Sequence, residues 1–200
     1  MSELMSIMAG LFMVATVVSY WLQVKRAVST PNPATWLIWS VVSIMNAFSY
    51  FRVVEEDTLK VLAAIVSAVG LSFVFIYTWR MDKFSKIGWV EVVSIILTLG
   101  VGLLWKIVGA VSANLSLQLV LVISFYPTIR GLLKRKLREK PLPWVLAVAA
   151  QFFQIGSLIL DWDTSGGWIA LAYPLLNGVL GNGSVAMIVY LQAKQKDVTH

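Results

Sequence analysis

The chain has 200 residues, of which 58% are hydrophobic and only 13% charged, with a formal net charge of +6. A soluble domain carries about 25% charged residues, so this composition excludes an ordinary water-facing surface and points to lipid. The absence of cysteine excludes disulfides, thiolate metal sites and cysteine nucleophiles. The single histidine, His200, is the last residue, which leaves no histidine metal site or catalytic triad.

A bilayer core of roughly 30 Å needs about 20 apolar residues per helix, and backbone polar groups inside lipid must be satisfied within the segment. The apolar runs are continuous rather than alternating, so they predict helices and not barrel strands. Seven runs fit: Leu4–Gln23, Ala34–Val53, Leu59–Arg80, Ile87–Val108, Ala113–Arg130, Leu142–Leu160 and Gly167–Leu191. The only charge before the first is Glu3, without a basic leader, and it is read as a retained span.

Basic residues sort by loop. Thirteen of the 16 Lys and Arg fall on one side: Lys25 and Arg26, then Arg80, Lys83 and Lys86, then six from Arg130 to Lys140, then Lys194 and Lys196. Arg52, Lys60 and Lys106 fall on the other side, with the acidic Glu55, Glu56, Asp57, Asp161 and Asp163. The positive-inside rule then sets the amino terminus outside and the carboxyl terminus in the cytoplasm. The run Lys134–Lys140 reads as a topology signal, with contact to anionic headgroups as the alternative. Nucleic acid is not expected as a partner.

An internal repeat shows in the second and sixth runs. Setting Trp36 against Trp144 aligns the row Trp36, Trp39, Ser43, Asn46 with Trp144, Ala147, Gln151, Gln154, and Ser49 with Ser157. Steps of three and four residues put each row on one helix face. The preceding helices correspond as well, Ser19–Lys25 with Ser124–Arg130, and each leads through a basic loop to a proline-led helix start, Pro33 or Pro141/Pro143. In the third members Ser67 lies loosely opposite Asn177. Spans one to three and five to seven thus read as parallel units, with span four as the linker that keeps them parallel. The expected division is 1–80 for the first three-helix repeat, 81–108 for the linker helix, and 109–200 for the second repeat and tail.

Leu22-Gln23 and Pro127-Thr128 stand where the PQ-loop superfamily has Pro-Gln, each keeping half of the dipeptide. With the three-plus-one-plus-three layout, the chain resembles the group that holds SWEET sugar transporters, nicotinamide riboside transporters and the KDEL receptor. The segment from Thr30 to Trp39, with Tyr173-Pro174 and Asn177, resembles still more a set of bacterial PQ-loop-like membrane proteins. The resemblance implies an all-α integral membrane protein with a solute site at mid-membrane between two triple-helix bundles. It also implies a paired asparagine on the third helix of each repeat, which only Asn177 supplies, so a sugar or riboside substrate does not follow.

Polar side chains in mid-span are costly in lipid and invite a functional reading. The expected solute site comprises Asn46, Gln154 and Asn177, with Ser43 and Gln151 toward the cytoplasm and Gln118 and Ser67 as further candidates. Helix-to-helix hydrogen bonding is the alternative, and it is preferred for Asn182 and Ser184 beside Gly178, Gly181 and Gly183. The amides are neutral and both donate and accept, which suits a neutral or zwitterionic solute. Trp36, Trp39, Trp144 and Tyr173 are candidates for stacking or gating, with an interfacial belt as the competing role for the three tryptophans. Trp79, Trp89, Trp105, Trp162 and Trp168 sit where a belt requires. Pro127 and Pro174 are candidate hinges. Glu91, the one carboxylate within a span, reads as snorkelling, so a facilitator is simpler than a coupled pump.

The function expected is alternating-access transport of a small polar solute, or ligand binding by a receptor on the same scaffold. An intramembrane enzyme lacks a nucleophile–base pair, and no cofactor or metal is expected. Membrane lipid is the other expected partner, and self-association is left open.

Overall fold

In the computed structural model, residues 1–31, 33–81 and 89–198 are described, and they form helices with no strand among them. Lys83, Lys86 and His200 lie outside the described residues, as do the side chains of Glu91, Lys106 and Lys196.

Helix α1 spans Ser2–Lys25, α2 Pro33–Val53 and α3 Thr58–Arg80. The last of these starts on a side-chain cap: Asp57 Oδ1 accepts from the N–H groups of Leu59 at 2.9 Å and Lys60 at 3.1 Å, which would otherwise lack partners in the first turn. Helix α4, Trp89–Leu133, is broken at Gly109, whose φ of 78° and ψ of 167° only glycine adopts without strain. The break falls between the fourth and fifth expected spans. Helix α5, Pro141–Leu160, opens on Pro141, where a missing N–H costs no hydrogen bond.

The seventh expected run is continuous but not uniform. Helix α6, Gly167–Ala172, passes into a π-helical stretch, Tyr173–Asn182, and then into α7, Gly183–Val198. Pro174 stands at the start of the wide stretch, where its ring cannot supply an N–H to the ladder.

Among the described residues, five stretches are long and apolar enough to cross a membrane: Ser2–Lys25, Thr58–Arg80, Ile107–Leu133, Pro141–Leu160 and Gly167–Gln195. Their outward faces are apolar. Leu103 is 80% exposed, Phe48 68% and Val69 66%, while Asn46, Asn114, Gln118, Gln151 and Gln154 are buried. Polar groups inside and large aliphatic groups outside invert the pattern of a water-soluble domain, as expected of an integral membrane protein.

Packing follows a regular scheme. Helix α3 lies against both α1 and α2; the π-helical stretch and α7 lie against both α4 and α5. Between these groups, α1 packs along α5 and α2 along α4. Small residues permit close approach. A Cβ on Gly70 would lie 2.2 Å from a methyl of Val17, and one on Gly10 would lie 2.6 Å from a methyl of Leu62, so α1 and α3 meet backbone to side chain.

Candidate functional site

A cavity of about 100 Å³ lies where α1, α2 and α3 meet α4, α5 and the π-helical stretch. One water needs about 10–15 Å³ on this measure, so the space holds several waters or one small solute. Its polar lining includes Ser43, Ser67, Gln151, Asn177 and Asn182, and its aromatic lining Tyr20, Trp36, Trp39, Phe125, Trp144 and Tyr173.

Four of the seven expected solute-site residues therefore meet at one cavity: Ser43, Ser67, Gln151 and Asn177. All four expected aromatic residues join them. Asn46, Gln118 and Gln154 are buried but lie outside the lining. The reason is that each is engaged elsewhere. Asn46 Oδ1 accepts from Gln118 Nε2 at 2.7 Å and from Asn114 Nδ2 at 3.0 Å. Gln154 Nε2 donates to the backbone carbonyl of Lys60 at 2.8 Å. Asn182, read from sequence as a packing residue, lines the cavity and donates through Nδ2 to the Asn177 carbonyl at 2.9 Å.

The amides form a relay. Gln118 Nε2 also donates to the Asn114 carbonyl at 3.0 Å, and Gln118 Oε1 accepts from Asn177 Nδ2 at 2.5 Å. Asn114 donates further to Ser49 Oγ at 2.9 Å. The relay connects α2, α4 and the π-helical stretch and ends at the cavity wall. Asn114 was not singled out from the sequence, although its position four residues before Gln118 puts both amides on one face of α4.

Positions that the sequence alignment sets against each other meet in the lining. Trp36 aligns with Trp144, Trp39 with Ala147 and Ser43 with Gln151, and all six line the cavity. So do Tyr20 and Phe125, which the alignment of Ser19–Lys25 with Ser124–Arg130 makes equivalent, and the loosely matched Ser67 and Asn177.

The end of the bundle that carries the basic loops is closed by aromatic rings. Tyr20 and Trp36 have centroids 4.4 Å apart, Trp36 and Trp39 5.3 Å, and Trp39 and Phe125 5.0 Å. Trp144 packs edge-on against Tyr20 and Trp39. Trp36, Trp39 and Trp144 are buried, whereas Trp79, Trp89 and Trp168 are exposed, so only the second group occupies belt positions. Trp39 Nε1 is anchored on Ser124 Oγ at 2.6 Å.

Outside the rings, the 134–140 loop folds back. The Thr30 N–H donates to the Arg138 carbonyl at 2.8 Å, and the Tyr20 hydroxyl donates to Glu139 Oε1 at 2.8 Å. Burial pushes the Glu139 carboxyl up to about 7, against the hydrogen bond from Tyr20 and the nearby polar groups of Trp144 and Ser29, which pull it down. Glu139 has no signal in the sequence, where it is one acidic residue in a basic run.

The opposite end is closed by polar contacts between the groups. Lys60 Nζ lies 3.1 Å from Asp57 Oδ2 and 3.2 Å from Asp161 Oδ2. A hydrogen bond from Ser2 and the charge of Lys60 hold the Asp161 carboxyl below its usual range. Ser6 and Ser157 hydroxyls are 2.8 Å apart, and the Tyr50 hydroxyl donates to the Ala170 carbonyl at 3.0 Å. Gly166 sits under the end of α2, where a Cβ would fall 2.1 Å from the Val53 carbonyl oxygen. Among the described residues no cluster of His, Asp or Glu has the geometry of a metal site.

Comparison with protein-family models, curated proteins and solved structures gives no match to this chain.

Proposed function

We propose that the chain is a facilitative transporter that moves a small neutral or zwitterionic polar solute across a membrane by alternating access. The observation that carries this reading is the paired lining of one buried cavity, in which equivalent positions of two helix rows face each other across the space. In this reading seven spans form two parallel three-helix units, α1–α3 and the second part of α4 with α5 to α7, and residues 89–108 link them. The packing scheme supports it, because the third member of each unit lies against the first two and the units meet first helix to second.

The two closed ends give the reading its mechanics. The aromatic cluster with Tyr20 and Glu139 is the gate on the basic side, and the contacts of Lys60, Asp161 and Tyr50 with their partners are the gate on the other. Opening one while the other holds would expose the cavity to one side at a time. Pro127 and Pro174 are the proposed hinges, since proline leaves a carbonyl without its usual helical donor. By the distribution of basic residues, the aromatic gate faces the cytoplasm.

Kinship with the PQ-loop superfamily is part of this proposal and rests on the half-motifs Leu22-Gln23 and Pro127-Thr128 with the repeat. The test is flux. Protein reconstituted into liposomes is exposed to a mixture of polyols, sugars, amino acids, carboxamides and nucleosides, and the vesicle contents are read by mass spectrometry. At least one class should equilibrate faster than in protein-free vesicles. Binding of a solute without any flux would favour a receptor on the same scaffold and contradict transport.

A further inference from the structure

The hydrogen bonds around Asn177 have a direction that a backbone group sets. The Asn114 carbonyl can only accept, so the nitrogen of the Gln118 amide is the atom that faces it, at 3.0 Å. The oxygen of Gln118 then faces Asn177, 2.5 Å away, and the atom it meets there must be the nitrogen. Turning the Asn177 amide over would set oxygen against oxygen. Asn177 Oδ1 is thereby left as the free end of the relay, buried and without a hydrogen-bond partner.

Gln151, across the same cavity wall on α5, presents a second acceptor of this kind. Its Oε1 is likewise buried without a partner. Both residues are more than nine-tenths buried, and both line the cavity. Two bare acceptors in one enclosed space are costly unless a donor fills the space between them. The lining also contains a bare donor, Trp144 Nε1, but Glu139 Oε2 beside it is bare too, and a small approach of the two satisfies both. The Tyr173 hydroxyl, on the same lining, lies beside both Ser67 and Gln151, and its single proton can serve only one of them. The unmet need that remains is for donors at this pole of the cavity, at Asn177 Oδ1 and, with Tyr173 turned to Ser67, at Gln151 Oε1.

We infer that Asn177 Oδ1 and Gln151 Oε1 form an acceptor pair that recognises a nitrogen-bound donor group of the solute, a primary ammonium or a carboxamide NH2. The inference rests on the transport site proposed above and names its substrate class. Either group offers at least two N–H donors, one for each oxygen. The aromatic faces of Tyr20, Trp36 and Trp144 at the other pole suit the apolar remainder of the solute and also attract a positive charge. An acceptor-only group, such as a carboxylate, meets oxygen at this pole and is rejected by it.

The test uses four probes of one size: propylammonium, propionamide, propan-1-ol and propionate. Each is titrated against the purified full-length protein at fixed ionic strength and neutral pH, with thermal stability and tryptophan fluorescence as readouts. Propylammonium or propionamide should give a saturable shift larger than propanol, and propionate none. A response to propylammonium alone identifies the ammonium as the preferred source of donors, and a response to both identifies the N–H itself. Gln151→Met, which keeps the volume and removes the acceptor, should weaken that binding about 3- to 10-fold, as expected for one neutral hydrogen bond. An equal or larger response to propionate, no response to any probe, or full binding in Gln151→Met would overturn the assignment. Flux of an acceptor-only solute would overturn it while leaving the transport reading intact; absence of all flux would remove the transport reading itself.

Discussion

Gly178 and Gln151 compete for one volume: a Cβ placed on Gly178 would lie 2.1 Å from Gln151 Cγ and 2.7 Å from its Cδ. The missing side chain at 178 is what lets the Gln151 amide lie across the π-helical stretch and reach the cavity. Gly178→Ala should therefore push Gln151 out of its place and cost about 1–3 kcal/mol of stability by overpacking. The melting temperature should fall and the solute response should fall with it. Gly100→Ala, where nothing lies within 4 Å of the new Cβ, should change neither.

Asn46 and Gln154 stand opposite each other in the sequence alignment but differ in what they hold. Asn46→Leu strands the Asn114 amide nitrogen from one acceptor and takes another from Gln118, which orients Asn177. Both stability and solute binding should drop, the first by about 1–3 kcal/mol for the buried groups left short of partners. Gln154→Leu removes the bond to the Lys60 carbonyl and the polar contact with Tyr50 but lies outside the cavity, so it should lower stability and leave binding in place. Equal loss of binding in both variants would contradict this division.

Glu139 predicts a pH dependence with a definite sign. Its carboxyl is pushed from about 4.5 to about 7 by burial against Tyr20, so the folded loop holds a proton that the unfolded chain releases. The stabilisation is fully present below about pH 4.5 and is lost as pH rises through about 7. Other groups near it do not reverse the sign: Tyr20 donates a hydrogen bond, Ser29 and Trp144 lie close by, and Arg138 and Lys140 flank it in sequence. Thermal stability measured from pH 5 to pH 8 should decline in the native chain. Glu139→Gln should flatten that decline; an unchanged slope would show that another group carries it.

The sequence exposed the helices, because lipid burial demands long apolar runs, and two similar rows of Trp, Ser and amide residues stand out against them. It led to the Ser43–Gln151 and Ser67–Asn177 pairs at the cavity and to the buried Trp36, Trp39 and Trp144. It did not separate Asn46 from Asn177, since both are mid-span amides and only the tertiary position of Asn114 decides which one ends at the cavity. Nor could it find Glu139, whose burial depends on a loop folding back onto α1. The change to π-helical geometry after Tyr173 was legible only as a proline within a span.

Alternating access can be measured directly in this chain because it has no cysteine. Ser67→Cys places one thiol on the cavity wall of a chain that has no other. Protein oriented in liposomes is treated from one side or the other with a membrane-impermeant thiol reagent, and labelling is read by mass spectrometry. The account predicts labelling from both sides, with each side suppressed when the opposite-facing state is trapped by a crosslink across the aromatic gate or across the Lys60–Asp161 end. Labelling from one side only, whatever the crosslink, or no labelling from either, would contradict it.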